Sequence, residues 1–280
     1  TESNCEVRFK VWLKELGVDF ESNNRKLIAP YELDVFIPSA NLAIEVNGIY
    51  WHSKKSGLKP DYHKNKTDLC REKGISLLHI HDSDMFTPKI QSLIKSRLRI
   101  GLKSYYARKL KVREIESANY KAFVDANHIQ GACAAKVRLG LFDGEELISV
   151  MSFSKSRFSK KHNYEMIRYC NKMGTSVAGG AHKLFNHFVT TYLKKGENLV
   201  SYCDRRLFNG DVYLRLGFTH SHNTPPGYYW INDEGVVRSR YQTQKHKLNT
   251  ELTETAYMES QKFHKVYDCG QGVYEFTKDK

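Results

Sequence analysis

The stretch LDVFIPSANLAIEVNGIYWHS, residues 33–53, reads as two apolar strands joined through Pro-Ser-Ala-Asn, the composition of a tight turn. Each strand carries one carboxylate among apolar neighbours, Asp34 in the first and Glu45 in the second. Across a hairpin two such acids converge at one edge of a sheet. Burying them together is costly unless a proton or a cation neutralises them. A hard divalent ion, Mg²⁺ or Mn²⁺, accepts a few carboxylates and keeps waters for chemistry, so it is the simplest remedy.

Working outward, YHKNKTDLCREKG (62–74) has helical spacing and ends on Gly74. His63 and Lys66, three apart, share one of its faces. ISLLHIH (75–81) follows as a buried strand and PKIQSLIKSRLRIGL (88–102) as a helix. Upstream, EVRFKVWLKEL (6–16) is an amphipathic helix whose Val7, Val11 and Leu16 share a face with Trp12 and Leu13, and KLIAPYELDVFIP (26–38) reads as strand. The order α-β-β-α-β-α predicts a small mixed sheet flanked by helices. Glu6 on the first helix and His52 after the aromatic pair can join the two acids. Carboxylates, a histidine and a lysine are the parts of metal-assisted phosphodiester hydrolysis: the ion activates water, Lys66 steadies the developing charge, and His52 moves the proton. The competing structural reading makes Glu45 a buried acid paired with Lys64 or Lys66, and His52 a core histidine.

The chain has 280 residues and a formal net charge of +13. Residues 1–100 carry 16 Lys+Arg against 13 Asp+Glu, a net of +3, which leaves +10 for the rest. That excess points to a polyanion, double-stranded DNA above all. Six cysteines without a C-x-x-C pair argue against a zinc ribbon or a disulfide framework. No apolar run is long enough for a membrane span and no leader pattern is present, so an intracellular protein without a membrane partner is expected.

Past a basic, aromatic connector at 101–112 a second αβ pattern begins. SANYKAFVDANH is a helix with a Ser cap, KVRLGLFDGEELISVMSFS a hairpin turning on Asp-Gly, and YEMIRYCNK a strand. GGAHKLFNHFVTTYLKK is a helix, NLVSYCD a strand, and GYYWIN with VVRSRYQ a closing hairpin. The expected organisation is a domain over 1–100, a linker over 101–112 and a second domain over 113–280, with residues 245–280 left open. Basic residues of the second domain are candidate DNA contacts: Lys136, Arg138, Lys155, Arg157, Lys160, Lys161, Arg205, Arg206, Arg238 and Arg240. Asn47 and His63 in the first domain join them.

Together, LDVFIPSANLAIEVNGIYWHS and DYHKNKTDLCREKGISLLHIH resemble the very-short-patch-repair-like (Vsr-like) branch of the PD-(D/E)xK nuclease superfamily, closest to its phage homing-endonuclease versions. The likeness runs from about Ser3 to Ile94 and implies a restriction-endonuclease-like fold. It places the metal-binding acid on Asp34, the acid of the (D/E)xK element on Glu45, the helix-one acid on Glu6 and the family's histidine on His52. The lysine of that element is Asn47 here, so its charge has to come from Lys66 or His63. In the second domain, SVAGGAHKLF and DVYLRLGF resemble the N-acetyltransferase-like (GNAT) fold over about 112–235, which implies an acetyl-CoA pyrophosphate loop at Gly179 and Gly180. That motif is half met, because Ser176 stands where Gln or Arg is expected. The resemblances imply an α/β (α+β) chain acting as a metal-dependent DNA endonuclease, with a GNAT-shaped domain positioning the DNA. An acetyltransferase with an accessory nucleic-acid-binding domain and a non-catalytic DNA-binding protein are the alternatives. One active site per chain makes nicking or dimerisation the expectation.

Overall fold

A computed structural model describes residues 3–48 and 59–279. Its contacts divide the chain into two compact units: Thr1–Thr87 with Asp204–Asn209 and Thr224–Gln271, and Pro88–Cys203 with Gly210–Asn223 and Gly272–Lys280.

The first unit opens with helix α1 (Asn4–Glu15), whose N-cap Ser3 accepts the Glu6 N–H at 3.1 Å. Its inward face is Glu6, Phe9, Lys10 and Leu13, whereas Val7 and Val11 are exposed. Leu13 of the expected face is buried while its valines are not: Phe9, four residues before Leu13, completes the anchor, and the Glu6–Lys10 pair travels inward with them. Strands β1 (Glu21–Asn24), β2 (Leu33–Ile37), β3 (Leu42–Asn47) and β4 (Ser76–His81) form a sheet in chain order. The first three run antiparallel. Residues 26–32 turn between β1 and β2 instead of extending β2. The Pro38–Ala40 turn closes the β2–β3 hairpin with Asn41 left-handed at φ 45°, a region Asn tolerates. Helix α2 (Tyr62–Glu72) precedes β4, which pairs parallel with β3 from Leu42↔Ser76 to Asn47↔His81. Every residue of β3 is buried, as suits a strand covered on both faces. Ile28, Leu33, Phe36, Ala43, Cys70, Ile75 and Leu77 form the core beneath it.

The second unit takes α3 (Pro88–Leu98), β5 (Lys103–Tyr106), β6 (Lys111–Glu114), α4 (Ser117–Asn127), β7 (Val137–Asp143), β8 (Glu146–Ser154), β9 (Tyr164–Asn171), β10 (Thr175–Ala178), α5 (Gly180–Thr191), β11 (Asn198–Asp204), α6 (Asp211–Arg215) and β12 (Thr219–Asn223). Ser117 is the first helical residue of α4, and the cap position is Glu116, with no side-chain cap bond. The β7–β8 hairpin turns at Gly144, φ 58°.

The chain then builds β13 (Tyr228–Asn232), β14 (Val237–Ser239), α7 (Glu254–Ser260) and β15 (Phe263–Tyr267), with β13 central between antiparallel neighbours. These elements belong to the first unit, so the division differs from an unbroken domain over 113–280. Buried polar bonds tie this segment to the first unit's own elements: Tyr229 of β13 meets His81 of β4. Arg205, 1% exposed, pairs with Asp68 of α2 and donates to the Cys269 carbonyl at 2.9 Å. Finally β16 (Gln271–Thr277) enters the second unit's sheet, whose order is β12-β16-β11-β9-β8-β7-β6. Among the described residues no helix is long and apolar enough to cross a membrane.

Candidate functional site

In the first unit the β2–β3 ladder runs from Ile37↔Leu42 to Val35↔Ile44. At the next rung carboxylates take over from backbone. Glu45 Oε1 accepts the Asp34 N–H at 3.2 Å, and Asp34 Oδ2 accepts the Val46 N–H at 2.9 Å. The sheet register thus brings Asp34 and Glu45 together, as the sequence predicts. Lys66 of α2 completes the cluster with an ion pair to Glu45 Oε2. Glu45 is 2% and Lys66 3% exposed, so water screens neither charge.

Two acids face one ammonium, and the imbalance falls on Asp34. Burial first, then the Glu45 charge, push its carboxyl up to about 7, against the pull of Lys66 and the Val46 N–H. Burial pulls Lys66 down, but the Glu45 carboxylate more than compensates and holds it charged. Glu6 adds its negative charge at longer range and is itself tied to Lys10 Nζ at 2.6 Å; Lys10 also donates to Asn23 Oδ1 at 3.3 Å. Tyr62, one turn before Lys66, is half-buried, and its hydroxyl lies in the field of Lys66, Glu45 and Asp34. Lys10 and Tyr62 lie four residues from Glu6 and Lys66, the helical spacing by which the sequence places them beside the cluster.

Two carboxylates short of one positive charge suit a hard divalent ion that keeps water in most of its shell. Asp34 and Glu45 would hold it. Among the described residues no group of three or more His, Cys, Asp or Glu side chains is gathered to hold a metal. His52 lies outside the described residues.

The neighbouring polar residues act differently from expectation. His63 is buried, with its ring 5.1 Å from that of His79, and Thr67 Oγ1 meets His79 Nε2 at 2.9 Å. Asn47 is buried too, and its Oδ1 has no hydrogen-bond partner. Neither presents itself to a nucleic acid. His81 bonds the Tyr229 hydroxyl. Arg205 braces Asp68, and half-buried Arg206 lies 3.9 Å from Asp204; both belong to internal ion pairs.

In the second unit Lys136, Lys155, Lys160 and Lys161 are exposed, as are Arg238 and Arg240 in the first. Arg138 is turned inward, donating to the Ile115 carbonyl at 2.9 Å and the Ala135 carbonyl at 2.7 Å. Arg157 is exposed, but its guanidinium is clamped on Glu165. At the glycine loop, Gly179 has φ 76°, and a Cβ on Gly180 would strike Val177. The Ala181 N–H is taken by the Tyr169 hydroxyl, and Lys183 Nζ donates to the Ala107 and Leu110 carbonyls. The parallel β11–β9 ladder has two rungs, Leu199↔Tyr164 and Val200↔Glu165. Beyond them Ser201 Oγ donates to the Met166 carbonyl at 2.9 Å, and the Tyr213 hydroxyl lies among Ser201, Cys203 and Arg168. The Ala181 N–H and the Lys183 ammonium are thus engaged within the chain.

No family model matches the sequence, and no curated protein matches it. Among solved structures, the homing endonuclease I-Bth0305I catalytic domain aligns at 24% identity over 35% of this chain and 90% of its own, with a TM-score of 0.26. An acetyltransferase of the GNAT family from Bacillus cereus aligns at 8% identity over 60% and 97%, TM-score 0.35. A putative acetyltransferase, yncA from Salmonella typhimurium, solved with acetyl-CoA, aligns at 12% identity over 61% and 95%, TM-score 0.36. Likenesses this slight say nothing about activity.

Proposed function

We propose that this chain is a divalent-metal-dependent DNA endonuclease of the Vsr-like kind, with Asp34, Glu45 and Lys66 at its reacting centre. The observation that carries the reading is the pair of carboxylates, Glu45 buried and Asp34 half-buried, that faces the single ammonium of Lys66. The bound ion would supply an activated water and Lewis-acid stabilisation of the phosphodiester. Glu45 and Asp34 would hold the cation. Lys66 fills the place that Asn47 leaves in the (D/E)xK element and steadies charge on the phosphorane. Glu6, paired with Lys10, tunes the negative field around Asp34. The basic residues of 101–280 draw the DNA backbone in, with affinity falling as salt rises.

Acetyl transfer is the second reading, favoured by the early parting of β9 and β11. The occupied Ala181 N–H weighs against it. Thermal unfolding separates the two. Mn²⁺ at millimolar concentration should raise the melting temperature of the wild type and leave Asp34→Asn unmoved, while acetyl-CoA shifts neither. A stabilisation by acetyl-CoA with none from Mn²⁺ would transfer the assignment to acetyl transfer.

A further inference from the structure

The β8–β9 connection, Lys155–Asn163, is KSRFSKKHN: four cations and no acid. Phe158 stands in it 75% exposed. One exposed apolar side chain is ordinary on a protein surface. The way this one is held is not. Glu165 is 1% exposed, and it accepts the Arg157 backbone N–H at 3.1 Å and the Arg157 Nε at 3.2 Å. Further along, Ser159 Oγ accepts the Lys161 N–H at 3.2 Å and meets His162 Nδ1 at 3.1 Å, and Asn198 Nδ2 donates to the Lys161 carbonyl at 3.1 Å. A buried carboxylate and several loop bonds therefore fix both flanks of Phe158, while Lys155, Lys160 and Lys161 remain exposed. Its ring faces Arg157, 5.2 Å away, and stands nearly perpendicular to Tyr202, 5.8 Å away.

We infer that this loop is a DNA contact in which Phe158 stacks against a base of the bound duplex while Lys160 and Lys161 grip flanking phosphates. Aromatic wedges braced among cations are how proteins unstack a base step. The inference rests on the proposed DNA-directed function but concerns a different part of the chain. Cations alone would give backbone attraction; the rigidly presented ring adds a base-facing element. Arg157 serves as the anchor of the loop and not as a phosphate contact.

The test uses the full chain and a fluorescein-labelled mixed-sequence duplex, followed by anisotropy in EDTA at several salt concentrations. Phe158→Ala should weaken binding about tenfold. Phe158→Trp should retain affinity, and its added emission should be quenched on DNA. Lys160→Ala with Lys161→Ala should lower the salt slope by about two. Wild-type binding with Phe158→Ala within twofold of it would overturn the inference and leave the nuclease reading standing. Absence of DNA binding by the wild type would overturn both. Vesicles of phosphatidylserine and phosphatidylcholine provide the contrast. Phe158-dependent binding to vesicles, with Phe158-independent binding to DNA, would make the occupant a lipid surface and refute the inference.

Discussion

Asp34→Asn should stabilise the metal-free protein at neutral pH. In the folded state the Asp34 carboxyl is pushed from its ordinary 3.8 to about 7. Between those values the folded chain holds a proton that the unfolded chain has released. Stability from this group is therefore fully present below about pH 4 and is lost as pH climbs toward 7. At about 1.4 kcal/mol per decade the full cost is up to ~4 kcal/mol. Asn keeps an oxygen for the Val46 N–H and carries no charge, so roughly 1–3 kcal/mol should be recovered at pH 8. That corresponds to about 3–10 °C in melting temperature for a chain of this size. The assay is thermal unfolding of both proteins in EDTA at pH 4.5 and pH 8. The gap should open from near zero at the acid end. An equal gap at both pH values, or destabilisation at pH 8, would refute the charge imbalance from which the site was argued.

Lys66→Met leaves Glu45 buried without its cation and should cost about 3 kcal/mol in urea unfolding at pH 8, less at pH 5, where Glu45 takes up a proton more easily. Arg205→Ala should destabilise by about 3 kcal/mol, because Asp68 and the Cys269 carbonyl lose their partner, while the salt slope of DNA binding by the folded fraction stays unchanged. Gly210→Ala would drive a Cβ into the Tyr274 hydroxyl at φ 86°, and a loss of at least ~2 kcal/mol is expected by the same assay. Each loss follows from one buried contact, so a variant with wild-type unfolding would remove that contact from the account.

The parts legible in the sequence were local ones. The β2–β3 hairpin shows itself through its turn and apolar runs, and the meeting of Asp34 with Glu45 follows from register alone. Lys66 could be assigned because a helix face is periodic, but the same periodicity carried His63 into the core against His79. What escaped depends on distant partners. Arg205 looks like a phosphate contact until Asp68, 137 residues earlier, is seen beside it. The return of 224–271 to the first unit has the same cause, since nothing in β13 or β15 announces which sheet they accompany. On α1, Leu13 is legible as a buried position, but the valines at 7 and 11 mask Phe9, four residues before it. Phe158 was passed over among lysines because only its exposure, with Glu165 beneath its neighbour, marks it out.

The most direct test of the central claim is cleavage of supercoiled plasmid and phage DNA with Mg²⁺, Mn²⁺ or EDTA, wild type beside Asp34→Asn. Nicked or linear product is expected from the wild type with either ion, none in EDTA, and none from the variant under any condition. Equal cutting by wild type and variant, or DNA binding without cutting under every ion, would contradict that claim, the latter leaving a DNA-binding protein with an inert acidic cluster.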